Sequence, residues 1–180
     1  MEESWSAPGD IEDAVRVVDC WAPIVHAIIR ATPQDKLVDW KLVYRDPLPT
    51  WISSKARIAL LGDAAHPFLP TSIQGASQAM EDGVTLAVCL ELAGKVNVPK
   101  AVRAYEKIRY DRVRAAQKTG ETTRDKWHKT DFDQVKANPA SIKLPREKWL
   151  LDHDAEAHAY AVYADTAASL PSDVEARPSL

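Results

Sequence analysis

The residues of this 180-residue chain best suited to chemistry stand close together: Gly62-Asp63, directly after the apolar run Ile58-Ala59-Leu60-Leu61, and Gln74-Gly75-Ala76, at the head of a long helix-forming stretch. Asp63 can accept hydrogen bonds from ligand hydroxyls, and Gly62 leaves space for the ligand's close approach. Small residues in the first turn of a helix let a ligand reach backbone N–H groups that lack intrahelical partners, and such a terminus favours negative charge. Alone, Asp63 reads as a cap or turn residue; the ordered parts around it reverse that preference. Other combinations are weaker. Asp63 and His66 form a D-x-x-H, half of a metal site, but no Cys/His partners with ligand spacing follow, so His66 reads as a turn histidine. Glu81 and Asp82 are adjacent, so on a helix they diverge by about 100° and suit a structural or solvated pair better than paired catalytic carboxylates. His153 and His158 lie five residues apart and do not share a helix face as i, i+4 zinc ligands would.

The elements that must position these groups are legible locally. Ile58 to Leu61 is too short for an independent helix and suits a buried strand, whose carboxyl end is where open α/β sheets bind ligands. Pro67 and Pro70 bracket Phe68-Leu69 and stiffen the turn, because each proline fixes its own φ and restricts the residue before it. Thr71 or Ser72 can then cap the helix containing Gln74, Gly75 and Ala76.

In this order the residues resemble the FAD-dependent aromatic-ring hydroxylases, class A flavoprotein monooxygenases of the salicylate hydroxylase type. Their second flavin fingerprint is similar to Arg57, Leu60, Gly62-Asp63-Ala64-Ala65-His66-Pro67, Pro70, Gln74-Gly75-Ala76 and Glu81-Asp82 in this chain. Gly83, where the family usually has Ala, is the visible departure and costs about 1 kcal/mol of helix propensity. The resemblance implies that Asp63 binds a ribityl hydroxyl of FAD and that Gly62 lets the cofactor approach. It places the Pro67 to Pro70 loop beside the isoalloxazine and the N–H groups near Gly75 and Ala76 at its pyrimidine edge. There the helix terminus would stabilise the negative charge a flavin carries during turnover. No catalytic side chain and no metal ligand is assigned.

The flanks extend the resemblance more softly. Trp40 to Trp51 is similar to the last piece of the family's substrate domain, and Trp40, Leu42 and Tyr44 alternate with Lys41, Val43 and Arg45 as a half-buried strand would. Ile11 to Arg30 has helical spacing, divided or kinked at Pro23. Asn97-Val98-Pro99 opens a helix with Val102, Tyr105, Ile108, Val113 and Ala116 as its apolar stripe. Residues 129–146 read as an irregular connection, Glu147 to Ala168 as helix-prone and similar to the C-terminal helix of fungal members, and the stretch after Ser169 as frayed. Residues 95–129 carry a charge of +7 against −10 for the remainder. A solvated helix face explains this better than nucleic-acid or membrane contact, since aromatic interleaving is missing and the net charge is −3.

The six glycines, at 9, 62, 75, 83, 94 and 120, form no G-x-G, so the chain holds no dinucleotide phosphate turn. The family carries that turn, the acidic residue for the adenosine ribose and the Asp-Gly segment used with NAD(P)H earlier in its sequence. The resemblance therefore implies a helix-rich, incomplete α/β fold, the C-terminal part of a FAD/NAD(P)-binding Rossmann-type enzyme with a remnant of the substrate-domain sheet. The expected divisions are 1–54 for that remnant, 55–95 for the flavin-facing strand, turn and helix, and 96–180 for a helical region. Three functional readings stay open. The first, ranked highest, is a segment of an FAD monooxygenase that hydroxylates an aromatic or polyketide-like molecule with NAD(P)H and O2. The second is a polypeptide completing a flavin site with a partner chain that supplies the Rossmann half, and the third is a non-catalytic remnant or binding module. Cys20 and Cys89 are too few for a disulfide framework, no signal peptide or apolar span is visible, and a cytoplasmic protein is expected. An orphaned Ile58 to Leu61 strand predicts instability or self-association.

Overall fold

In the computed structural model, which describes residues 6–40, 45–46, 48–143 and 147–171, the chain divides into two units, residues 1–43 and residues 44–180. The first unit pairs β1 (Ala7–Pro8) antiparallel with β2 (Val38–Asp39), Ala7 facing Asp39 and Pro8 facing Val38. Between them lie α1 (Ile11–Val17) and α2 (Pro23–Arg30). Asp10 starts α1 by accepting the Asp13 N–H at 2.9 Å. Pro23 sits in the first turn of α2, where its missing N–H costs nothing, so the expected break at this proline is a helix start rather than a kink. Of the strand expected around Trp40 to Tyr44, residues 41–44 lie outside the described residues.

The second unit is built on α3 (Gly75–Ala93), α4 (Val98–His128) and α7 (Ala155–Ala168), with two short helices, α5 (Phe132–Ala137) and α6 (Lys148–Leu151), between the last two. The three long helices pack together through small residues, Cys89, Ala101, Ala104 and Ala167, and through Tyr105, Val113 and Tyr163. Trp51 completes this core, almost fully buried. Gly94 stops α3 with φ +69°, a conformation open to glycine at no steric cost. The stripe expected on α4 is buried at Val102, Tyr105, Val113 and Ala116, while Lys100, Lys107, Arg114 and Lys118 are exposed. Part of the basic bias of this stretch thus sits on a helix face turned to solvent, while Arg109 and Arg112 turn inward.

Three expectations are corrected. Ile58 to Leu61 is not a strand: it makes a single antiparallel bridge, Ala59 to Ile52, supported by Leu60 N–H to the Trp51 carbonyl at 2.7 Å. No strand among the described residues lies beside it, and Ile58 is 66% exposed, so the run extends without a sheet to join. Residues 129–146 are not wholly irregular, because Asp131 caps α5 by accepting the N–H groups of Asp133 and Gln134. The helix-prone stretch from Glu147 is two helices, since Asp154 caps α7 afresh through the Ala157 N–H at 2.9 Å. Among the described residues no helix is long and apolar enough to cross a membrane, and no cluster of His, Cys, Asp or Glu is arranged to hold a metal.

Candidate functional site

An open cavity of about 670 Å3 lies between the Leu61 to Asp63 turn, the Phe68 to Pro70 loop and the first residues of α3. Its volume falls in the usual range of small-molecule sites. Gly62, Asp63, Gly75 and Ala76 all line it; Pro67 does not, and the loop contributes Phe68, Leu69 and Pro70 instead. Gly62 adopts φ +55° and opens a short 3-10 turn, Gly62–Ala64, that swings Asp63 outward. The Asp63 carboxylate is exposed and makes no hydrogen bond among the described residues, which leaves its acceptors for a ligand. A side chain at Gly75 would place its Cβ 3.4 Å from the Phe68 Cβ and 4.0 Å from Asp63 Oδ1, so glycine keeps this corner of the cavity clear.

The helix start is arranged differently from the expected cap. Thr71 and Ser72 belong to a 3-10 turn, Pro70–Ser72, and Gln74 occupies the cap position of α3 without a side-chain bond. Ser72 Oγ accepts the Gln74 N–H at 3.2 Å, one residue short of the helix. The first N–H groups of α3 are therefore not satisfied by a capping side chain, as an anion- or carbonyl-binding terminus requires. Ile73, between turn and helix, is held at φ +55°, an unfavourable region for a β-branched residue.

Behind the cavity stands a buried ionic network that joins the turn to the helices. Asp82 Oδ2 accepts the Gly62 N–H at 3.0 Å and lies 2.6 Å from His66 Nε2, while Oδ1 accepts Arg109 Nε–H at 2.9 Å. Arg109 also donates to Glu81, to the Gln78 carbonyl and, at 2.7 Å, to Gln78 Oε1. Arg112 donates to both oxygens of Glu81, at 2.7 and 2.9 Å. Burial opposes ionisation of Asp82, but the bonds from His66, the Gly62 N–H and Arg109 outweigh it and hold its carboxyl below the usual range. Glu81 is likewise held low, burial being overcome by Arg112 and Arg109. The structural reading of the Glu81-Asp82 pair is thus met inside the protein, and His66 serves Asp82 rather than pairing with Asp63 in a half-site. The rings of His153 and His158 meet with centroids 5.1 Å apart at a tilt of 60°.

Arg109, Gln78 and Gln117 were not singled out by sequence pattern. Arg109 had a signal: it falls four residues from both Tyr105 and Val113, a charge in the middle of the apolar stripe, and such a residue must find a buried counter-charge.

The turn, the loop and the start of α3 thus meet around one cavity. The chain is a homologue of the fungal FAD-dependent monooxygenases and resembles their C-terminal portion. It is 43% identical over 166 residues to the FAD-dependent monooxygenase fsr3 of Gibberella fujikuroi, covering 91% of this chain and 32% of that protein. It is 38% identical over 154 residues to the asperlicin C monooxygenase of Petromyces alliaceus, covering 86% of this chain and 34% of that protein. Among solved structures, that of FqzB matches with a TM-score of 0.80 at 41% identity, over 92% of this chain and 40% of FqzB. CtdE in complex with FAD and a substrate matches with a TM-score of 0.78 at 37% identity, over 93% of this chain and 42% of CtdE. The chain spans about a third of the length of the curated relatives it matches first. No family model matches it.

Proposed function

We propose that this chain forms the flavin-facing part of an FAD-dependent monooxygenase that hydroxylates an aromatic or polyketide-like small molecule at the expense of NAD(P)H and O2. The observation that carries the reading is the convergence of Gly62, Asp63, Gly75 and Ala76 on one cavity. The residues present fit FAD: an exposed carboxylate with no hydrogen bond among the described residues for a ribityl hydroxyl, a corner kept clear by Gly75, and N–H groups at the start of α3 that no side chain caps for the pyrimidine edge. Phe68, Leu69 and Pro70 supply an apolar wall that would lie along the ring and keep water from it. When bound, the flavin supplies the redox chemistry that takes a hydride from NAD(P)H and activates O2. The chain's own part is to hold the ring, to orient the ribityl chain through Asp63, and to aim the α3 terminus where negative charge develops.

Since these residues hold no G-x-G, the pyrophosphate of FAD needs a phosphate turn from a Rossmann half outside them, whether earlier in the same polypeptide or on a partner chain. The test is titration of the purified chain with FAD, followed by flavin fluorescence and absorbance, with Asp63→Ala beside it. Saturable binding weakened about tenfold to a hundredfold in the variant is expected. Equal binding by both proteins would remove Asp63 from the site.

A further inference from the structure

The cavity is lined by residues 61–79, yet α4 reaches its loop from behind at two places that no fingerprint residue marks. Gly120 is buried, and a Cβ there would stand 2.7 Å from the Ser72 Cβ and 3.3 Å from the Ser72 Cα. These are atoms fixed to the backbone of the Pro70–Ser72 turn, so relief of the contact has to displace the turn or α4. One helical turn earlier Gln117, also buried, donates from Nε2 to the Pro67 carbonyl at 3.0 Å. The helix therefore grips the loop at both ends, Pro67 and Ser72, and three residues between them, Phe68, Leu69 and Pro70, line the cavity. Within the loop, support is slight: Ser72 N–H to the Leu69 carbonyl and Ile73 N–H to the Pro70 carbonyl, both at 3.0 Å, followed by Ile73 in its left-handed conformation. A loop ending in such a residue keeps its shape only when its surroundings hold it.

We propose that Gln117 and Gly120 are positioning residues for the flavin cavity: they set how far the Pro67 to Ser72 loop stands from Asp63 and the start of α3, and hence the width available to the ring. The proposal rests on the flavin reading above. It also explains why a helix-weakening glycine stands on the buried side of α4, where alanine would otherwise be preferred. Gly83 provides a matched control, because it too lies within a long helix but is exposed, with nothing within 4 Å of a Cβ.

The experiment compares Gly120→Ala, Gln117→Met and Gly83→Ala with the parent chain by FAD titration and by amide hydrogen exchange at residues 72–74. Gly83→Ala is expected to bind FAD as the parent does and to melt higher. Gly120→Ala and Gln117→Met are expected to weaken FAD by about tenfold or more and to speed exchange at Ser72, Ile73 and Gln74, with protection across Val102 to Val113 retained. Gln117→Met removes a donor without adding bulk and carries the test if Gly120→Ala does not fold. Unchanged loop exchange in both variants overturns the proposal, as does FAD affinity equal to that of Gly83→Ala. A parent chain that binds no FAD while the loop exchange still responds rules out flavin binding by these residues alone and supports the grip of α4 on the loop.

Discussion

Replacing Arg109 by Met is the perturbation whose size follows most directly from the geometry. The guanidinium is 1% exposed and bonds Asp82, Glu81 and Gln78 together. Methionine keeps much of the volume but leaves Asp82, which is fully buried, with only His66 and the Gly62 N–H as partners. Removing one member of a buried ion pair costs about 3–5 kcal/mol, chiefly because the other charge stays buried without compensation. Glu81 retains Arg112, so the loss should fall near the lower end of that span. For a chain of this size it corresponds to a fall in Tm of about 6–12 °C or more. The sign with pH can be worked out. Asp82 and Glu81 are held below 3.8 and 4.5, so in the parent they contribute stability that is present above those values and is lost as pH falls through their lower folded values. Without Arg109 the Asp82 carboxyl is less strongly held, so the variant loses less on acidification and the gap between the two proteins narrows below about pH 4. Urea unfolding followed by circular dichroism at pH 7 and at pH 3.5 measures both quantities. A loss below about 1 kcal/mol at pH 7, the size of an exposed pair, or a gap that does not narrow in acid, would refute the reasoning.

Gly62→Ala should destabilise by about 1–3 kcal/mol, because φ is +55° there and a Cβ would approach the Ala79 Cβ to 3.0 Å; a urea midpoint equal to that of the parent would contradict this. In the folded chain one thiol, exposed Cys20, should react promptly with a disulfide reagent, while Cys89, buried and with its thiol pushed up to about 12 by burial, waits for denaturant. Two fast thiols in the native protein would show that the α3 core is open. The extended run at Ile58 to Leu61, bridged at one residue only, should promote self-association, reduced by Ile58→Lys. Sedimentation showing the parent as a monomer at high concentration, with a sharp cooperative melt, would rule that out.

What was legible in the sequence was whatever depends on neighbours along the chain. The Gly62-Asp63 turn and the long helix that carries Gly75 and Ala76 could be read because three-residue and four-residue spacings, prolines and glycines act locally. The break at Pro23 and the opening of α4 at Pro99 were readable for the same reason. The apolar run Ile58 to Leu61 predicts a strand that the fold lacks, because strandedness is conferred by a neighbour and an apolar run alone does not reveal whether one is present. Sequence leaves Glu81 and Asp82 between structural and solvated roles, since their partners Arg109 and Arg112 stand 27 to 31 residues away. Pro67 illustrates the limit at a finer scale: its place in the motif is correct, but its carbonyl turns to Gln117 while its neighbours face the cavity.

Helix α4 runs unbroken for 31 residues, about 46 Å at the usual rise, and touches the α3 carboxylates near its middle and the loop further along. Recombination between relatives is constrained by that span. A chimera with a crossover between residues 94 and 108 would join one parent's fingerprint to another parent's Arg109, Gln117 and Gly120, testing all their pairings at once. A crossover beyond Gly120 would carry those three with the fingerprint they support. Block-swapping libraries built from such proteins should therefore inherit the extended run at Ile58 to Leu61, the turn, α3 and the first three quarters of α4 as one indivisible cassette, with exchange tolerated toward α5 and beyond.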